Sequence, residues 1–586
     1  MIVVDEMLQQ RFPRLNEKPW LSRPLGILLR WLLHEREFQD FAARYPHLTG
    51  QDFVEQVLDY FEFSYSVRDT ERERIPSEGR VVIIANHPIG SLDGLVLIKL
   101  VSEIRPDVKV VANELLMAVK PLHDLLLPVN NMGGRTAREN LRNIHKHLTN
   151  EGALIIFPAG EVSRLRPQGV RDTKWQDGFL RIANRTASPI VPVHLDGRNS
   201  PIFYSLSMLY KPMSTLLLVT EMFRQRERHL PVRIGELIPC ESWQSAGLAS
   251  KQTVKLFRKH LYRVASKGDP VFKTRHAIAL PENRRELSRC LQESSERLGE
   301  TGDGKIIYLH RHQHCSPVLR ELGRLREISF RAVGEGTNQR RDIDVYDSHY
   351  FHLILWDAEK LEIAGAYRLG DARRLRGSAP GLYTATLFDY SPAMEPYLEQ
   401  GLELGRGFVQ PKYWGKRSLE YLWYGIGAFL QRYPGYRYLF GPVSISGSLP
   451  PAARSVLVGF YGLYFPPTEH LATASHPYID TQPESALSPD QLFCGNDYSA
   501  DFKVLKRVLA DIGVTVPTLY KQYSELCKPG GVQFLAFGVD PAFNNCIDGL
   551  IMVDTCRLRE HRRQRYMTGF LPDRQPDNLM PAGYCE

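Results

Sequence analysis

The chain has 586 residues, 43% of them hydrophobic and 24% charged, a balance that excludes a disordered chain, a collagen-like rod and a small disulfide scaffold. At about 150 residues per domain it holds roughly four structural units, or two large ones. Lys+Arg 74 against Asp+Glu 66 gives +8, too mild a bias to argue for nucleic acid and equally suited to anionic lipid headgroups or an acidic protein partner.

The first residues, Met1–Arg14, are acidic and polar, without a basic-then-apolar signal sequence. No run of about 18 apolar residues predicts a transmembrane helix. The eight cysteines lack paired spacing, as in a reducing compartment. These features predict a cytosolic protein that can rest on a membrane surface. Trp20–Tyr45 places Leu25, Leu28, Leu29, Leu32, Leu33, Phe38 and Phe41 at helical spacing among arginines. That pattern fits an amphipathic helix packed on a domain or lying in a membrane interface.

Short β-branched runs follow at Val81–Ala85, Val108–Ala112, Ala153–Phe157 and Pro189–His194, separated by helical stretches such as Ala137–Leu148 and Trp175–Arg185. Such alternation predicts an α/β domain with a largely parallel sheet. Residues 265–305 are polar, charged and Gly-containing and read as a linker, with a boundary near 300. Beyond it a helix is predicted at Ser316–Phe330, then strands at Tyr350–Trp356, Ile363–Leu369, Leu382–Phe388 and Glu403–Val409. A helix at Ser418–Arg432 and a strand at Tyr438–Val443 complete an α+β domain with an antiparallel sheet.

The first predicted strand ends at Asn86-His87-Pro88-Ile89-Gly90-Ser91-Leu92-Asp93. Ligands of α/β sheets sit at the carboxyl ends of strands. There a neutral imidazole can take a proton from an alcohol while a carboxylate stabilises the imidazolium. Phe157-Pro158-Ala159-Gly160-Glu161-Val162-Ser163-Arg164 supplies small residues for close backbone approach and an arginine for an anionic headgroup. Between them lies Asn131-Met132-Gly133-Gly134-Arg135, and Ile190-Val191-Pro192-Val193 follows.

These four blocks, within about residues 60–250, resemble the glycerolipid acyltransferase family that includes the lysophosphatidic acid acyltransferases. The resemblance implies that His87 is the base and Asp93 its partner. It also implies that Arg135 and Gly160, with Glu161 and Arg164 beside them, line the acceptor site. Five residues separate His87 from Asp93 where the family has four, and Ala159 replaces the family's glutamate. Both departures suit an acceptor that is not a glycerol phosphate.

The second half carries Asp342-Ile343-Asp344-Val345-Tyr346-Asp347, and later Glu403-Leu404-Gly405-Arg406 running on to Lys412-Tyr413-Trp414-Gly415-Lys416-Arg417. A Gly/basic turn before a helix attracts phosphate, such as that of a phosphopantetheine arm. Acidic residues nearby can bind a cationic amine and accept its proton. With Phe440-Gly441-Pro442-Val443, these blocks resemble the GNAT-like ornithine N-acyltransferases over about residues 305–560. The resemblance implies an N-acyltransferase site at Asp344, Asp347, Glu403 and Arg406, with Lys412, Gly415, Lys416 and Arg417 at the acyl donor.

The pairing resembles the bifunctional ornithine lipid synthases. It implies an N-terminal amphipathic helical region (1–60), an α/β acyltransferase domain (61–265), a linker (266–305), an α+β GNAT-like domain (306–565) and a tail (566–586). It further implies acyl carrier protein as thioester donor, ornithine and lyso-ornithine lipid as acceptors, no bound cofactor or metal, no nucleic acid, and a peripheral place on the cytoplasmic side of the inner membrane. Another amino acid, a lysophospholipid acceptor or a catalytically silent lipid-binding protein are the alternatives.

Overall fold

The computed structural model describes residues 26–568, apart from 28, 114–115, 118, 130–137, 168, 210, 267, 312–315 and 481–488. The chain divides into two compact units, Met1–Leu280 and Pro281–Glu586. Among the described residues no helix is long and apolar enough to cross a membrane.

In the first unit the predicted N-terminal helix is interrupted at His34, which adopts φ 48°, before α1 (Glu35–Arg44). The main sheet is built from β1 (Ser64–Ser66), β2 (Val81–Ala85), β3 (Lys109–Asn113), β4 (Leu126–Val129), β5 (Ala153–Ile156), β8 (Ile190–Leu195) and β9 (His229–Ile234). The hairpin β6 (Arg164–Arg166) and β7 (Gly169–Arg171) stands apart. The order is β1-β9-β8-β2-β5-β3-β4, and every neighbouring pair is parallel except β8–β9.

Helices α2 (Leu92–Ser102), α3 (Arg138–Thr149), α4 (Gly178–Thr186) and α5 (Ser250–Ser266) cover this sheet. All five residues of β2 are buried because the strand is central and both faces are packed. Val81, Ile83 and Ala85 enter one core with Leu92 and Val96 of α2. Val82 and Ile84 enter the other with Phe179 of α4 and Phe257 of α5. Where β2 ends, Asn86 acts as a side-chain substitute for sheet pairing: Nδ2 donates to Leu195 O and Oδ1 accepts from Leu195 N, both at 2.8 Å. The residue delivered next is His87.

Within the stretch read as a linker, residues 284–300 are a helix and a strand of the second unit. Asn283 accepts hydrogen bonds from Arg285 N and Glu286 N and starts α6 (Arg284–Ser294). Leu287 and Leu291, one turn apart, are buried in this unit's core, so the polar remainder of the helix is its solvent face. The chain then enters β10 (Ser295–Glu300), an edge strand.

After β10 come β11 (Lys305–Arg311), α7 (Pro317–Ala332), β12 (Phe351–Asp357), β13 (Glu362–Asp371) and β14 (Phe388–Tyr390). These are followed by β15 (Gly401–Val409), α8 (Ser418–Arg432), β16 (Tyr438–Ile445), β17 (Ala472–Ala474), β18 (Val532–Asp540) and β19 (Cys546–Asp554). The expected strand at Leu382–Phe388 is instead a tight helical turn at Thr384–Thr386, followed by short β14, which pairs with β17. The turn has a cause: Thr384 N is taken by the Glu403 carboxylate at 2.7 Å.

The main sheet runs β10-β11-β12-β13-β15-β16-β19-β18 and is antiparallel except at β15–β16. Two irregularities shape its centre. The β13–β15 register shifts between Ala366 and Arg368, where Arg406 adopts φ 49°, a bulge that re-aims the side chains on β15. The parallel β15–β16 pairing covers Gly401–Glu403 against Tyr438–Phe440 and stops there.

At that opening Gly441 lies so near β15 that a Cβ would stand 2.0 Å from Leu404 O. Gly441→Ala is therefore expected to push the two strands apart and destabilise the protein by about 1–3 kcal/mol. Chemical denaturation of the variant measures this; wild-type stability would contradict it.

Candidate active sites

His87 and Asp93 meet at the carboxyl end of β2. His87 Nδ1 lies 3.1 Å from Asp93 Oδ2, although five residues separate them. The extra residue is absorbed by a turn in which Gly90 adopts φ 96°, and a Cβ there would come within 2.4 Å of Val162 Cγ2. Asp93, the second residue of α2, has no exposed surface. Its carboxylate is held by backbone N–H donors: Ile89 to Oδ2 at 2.8 Å, and Gly90 and Gly94 to Oδ1 at 3.0 and 2.9 Å.

Burial works to raise the Asp93 pKa, but the His87 charge and hydrogen bond and the Ile89 and Gly90 amides hold it below the ordinary value. For His87, burial works to lower the pKa; Asp93, by charge and hydrogen bond, and the charge of Asp172 outweigh it and lift it. The imidazole leans on the Phe157 ring at 4.3 Å and its side chain keeps 20% exposure. With Nδ1 turned to Asp93, Nε2 is the atom left to receive a proton.

A second carboxylate, Asp172, was not legible as part of this site. It is fully buried and ties the two blocks together. Its Oδ1 accepts from His87 N at 3.2 Å and from Ser163 Oγ at 2.5 Å, and Oδ2 accepts from Trp175 Nε1 at 2.8 Å. Ser163 N in turn donates to His87 O at 2.8 Å. The only sequence signal was a lone aspartate before a tryptophan, far from the dyad along the chain.

The other expected acceptor residues have mixed placements. Gly160 adopts φ 65° in the turn after β5. Ala159 packs into the core, and Glu161 instead accepts from Thr173 Oγ1 at 2.7 Å. Arg164 Nη2 lies 3.6 Å from Glu161 Oε2, with its guanidinium 5.5 Å from the Phe203 ring centre. Arg135 lies outside the described residues.

The second site is a buried charge network. Asp344 Oδ1 caps the turn that follows it, accepting from Tyr346 N and Asp347 N, and also accepts from Arg368 Nη1 at 2.6 Å. Asp347 Oδ1 accepts from Arg326 Nη1 at 2.7 Å and Arg368 Nη1 at 3.2 Å. His352 completes the network: its Nε2 donates to Asp347 O at 2.9 Å, and burial pushes its pKa down to about 3, so it is neutral. Arg406 Nε lies 3.1 Å from Asp342 Oδ2 and Nη1 donates to Tyr383 Oη at 3.2 Å.

Of the acidic residues expected here, Asp347 is the one that its ion pairs hold ionised. Burial works to raise the Asp347 pKa, but Arg326 and Arg368 drive it far below the carboxylate range. Glu403 differs. It is 1% exposed, accepts from Tyr350 Oη and Thr384 N, and burial raises its pKa above the ordinary value despite those donors. Arg326, Arg368, Tyr350 and His352 were missed because in sequence they sit inside an apolar helix and two apolar strands, where they read as surface or core.

The residues expected at the acyl donor are largely paired. Lys412 meets Glu362, Arg417 Nε donates to Glu420 at 2.9 Å, and the Lys416 ammonium lies 5.1 Å from the centre of the Tyr413 ring. Gly415 supplies φ 74° for the turn before α8. Among the described residues no group of His, Cys, Asp and Glu is placed to hold a metal ion.

Comparison with known proteins gives the two units their families. Residues 14–269 match the family model described as Acyltransferase, and residues 325–424 match that described as Acetyltransferase (GNAT) domain. The glycine N(alpha)-acyltransferase of Bacteroides thetaiotaomicron is 34% identical over 291 residues, 47% of this chain and 85% of the relative. The chain belongs to this family of N(alpha)-acyltransferases. It is an acyltransferase with an N-terminal acyltransferase domain and a C-terminal GNAT domain. The lyso-glycine lipid O-acyltransferase of the same organism is 29% identical over 252 residues, 42% of this chain and 90% of its own length. The L-ornithine N(alpha)-acyltransferase of Brucella abortus is 35% identical over 121 residues, 20% of this chain and 42% of its own length.

Two outcomes follow from the geometry. A base must be neutral to accept a proton, so acyl transfer that uses His87 as base is expected to rise with pH through the lifted His87 pKa. Asp93→Asn removes the charge that favours imidazolium; the limb in kcat/KM moves to lower pH while the plateau falls roughly 100-fold or more. Asp172→Asn moves the limb the same way by less. Limbs unmoved in both variants would contradict this. In the second unit, Asp347→Asn strips counter-charge from two buried arginines and is expected to cost about 3–5 kcal/mol in urea denaturation. Because the folded carboxyl binds its proton far less readily than the unfolded one, this stabilisation is complete above about pH 4 and is lost as pH falls through the folded pKa.

Proposed function

We propose that the chain makes ornithine lipid in two acyl transfers. In the first, the second unit joins a 3-hydroxyacyl group from acyl carrier protein to the α-amine of ornithine. The amine nitrogen attacks the thioester carbonyl, Glu403 takes the amine's proton, and the C–S bond breaks as the amide forms, the carrier protein leaving as a thiolate that takes up that proton to become its free thiol. The raised proton affinity of Glu403 suits that step. In the second, the hydroxyl of the new lyso-lipid gives its proton to His87 Nε2 and attacks another thioester. Asp93 stabilises the imidazolium, which returns the proton to the departing thiolate.

The observation that carries this reading is the double likeness. One chain matches an amino-acid N(alpha)-acyltransferase and a lyso-lipid O-acyltransferase, each over most of its length, and each unit holds a group with raised proton affinity, His87 and Glu403. Neither step consumes ATP, since a thioester is already activated. A single acyl chain anchors only marginally in a bilayer, so the intermediate would be recaptured at a membrane surface. Ile27 and Trp31, one helical turn apart and 66% and 71% exposed, suit such a peripheral position on the cytoplasmic face of the inner membrane. The phosphopantetheine arm of the donor would approach the turn at Lys412–Arg417.

Glycine is the second reading for the acceptor. The glycine relative aligns over 85% of its length and the ornithine relative over 42%.

Expression in a bacterium without such lipids tests both. Labelled ornithine should enter a phosphorus-free two-chain lipid; label entering from glycine instead would replace ornithine as the acceptor. His87→Ala should accumulate the single-chain precursor, and Glu403→Gln should abolish both products. A two-chain lipid still made by His87→Ala would overturn the assignment of the first site.

A further inference from the structure

Arg368 carries a charge whose hydrogen bonds are only half used. The side chain is 1% exposed. Both aspartates that neutralise it bind a single nitrogen, Nη1, at 2.6 and 3.2 Å. Nε and Nη2 are buried and have no hydrogen-bond partner. These two atoms form one edge of the guanidinium, the side-on face that meets a carboxylate through two parallel N–H···O bonds. Leaving such donors empty away from water costs free energy in proportion to their charge.

The neighbouring arginines, Arg326 and Arg406, leave only Nε without a hydrogen bond, whereas Arg368 leaves a whole edge. Arg406 has Nε beside Asp342 and Nη1 on Tyr383. Arg326 has both terminal nitrogens engaged, by Asp347 and His352. The surroundings of Arg368 are aromatic: its guanidinium carbon lies 5.9, 5.0 and 5.1 Å from the ring centres of Tyr346, Tyr350 and Tyr383. Tyr350 is buried, while Tyr346 and Tyr383 are half-buried, which marks the side on which the cation approaches solvent. Tyr350 also donates to Glu403. On the β13–β15 ladder Arg368 stands opposite Gly405 and Gly370 opposite Glu403, so Arg368 and Glu403 share one face of the sheet, two positions apart.

We propose that the Nε–Nη2 edge of Arg368 binds the free α-carboxylate of the amino-acid acceptor, which sets the α-amine before Glu403. This rests on the reading of the second unit as an amino-acid N-acyltransferase and adds the group that makes a free amino acid, rather than any amine, the substrate. One cation and one general base on the same strand pair then fix both ends of the α-carbon, whatever the side chain.

The full chain, supplied with a 3-hydroxyacyl carrier-protein thioester, tests this with four acceptors: ornithine, ornithine amide, glycine and glycinamide. The amides keep the amine and lose the carboxylate. The wild type should favour the better acid over its amide tenfold or more in kcat/KM. Arg368→Lys should raise the acid's KM at least tenfold and bring the acid-to-amide ratio towards one. The ratio compares two substrates on one protein, so a partly folded preparation does not distort it. Where the lysine variant does not fold, Arg368→Gln with Asp344→Asn removes both charges together and is read the same way. A wild type that uses amides as well as acids, or a variant that keeps the wild-type ratio, overturns the inference alone. A wild type that acylates none of the four overturns the underlying reading and the inference with it.

Discussion

Asp93 has no exposed surface, and the arrangement of the first site depends on keeping that carboxylate ionised there. An unpaired charge so deep would neutralise itself by taking up a proton. The N–H donors of Ile89, Gly90 and Gly94 prevent this, and they converge because Gly90 turns through a conformation that L side chains rarely adopt. Once fixed, the negative charge dictates which imidazole nitrogen faces inward and how strongly the outer one holds a proton.

The second unit meets the same constraint with the signs distributed differently. Three arginines and three aspartates are brought together between α7, β13 and β15, and each aspartate is matched to at least one guanidinium. Glu403 stands nearby with only neutral donors in contact. The two arginines beside Asp347 hold its carboxyl ionised, while burial raises the proton affinity of Glu403. The bulge at Arg406 belongs to this arrangement, because it places Arg406 against Asp342 and Tyr383.

Much of this architecture was readable in the chain. Val81–Ala85 and Ser418–Arg432 form the elements their patterns predict, with the same bounds, since a run buried on both faces and a long amphipathic helix each carry a strong signal. The turn at Thr384 was not readable, because it exists to serve Glu403, a partner 19 residues on. Residues 284–300 misled for another reason: only Leu287 and Leu291 of α6 enter the core, and two leucines among charged residues look like solvated chain. The chemistry divides similarly. Residues that act within a short segment, His87 and Asp93, announce themselves by spacing. Those that act through distant partners, Asp172 at one site and Arg326 and Arg368 at the other, have no local signature.

The bonds around Asp172 have a mechanical effect. His87 and Ser163 exchange contacts both directly, through their backbones, and by way of the shared carboxylate, while Gln176 N holds the same turn at Pro158 O. His87 and the loop that follows β5 are therefore a single lever. A displacement of that loop is therefore carried to the backbone of His87, however far from the ring it starts.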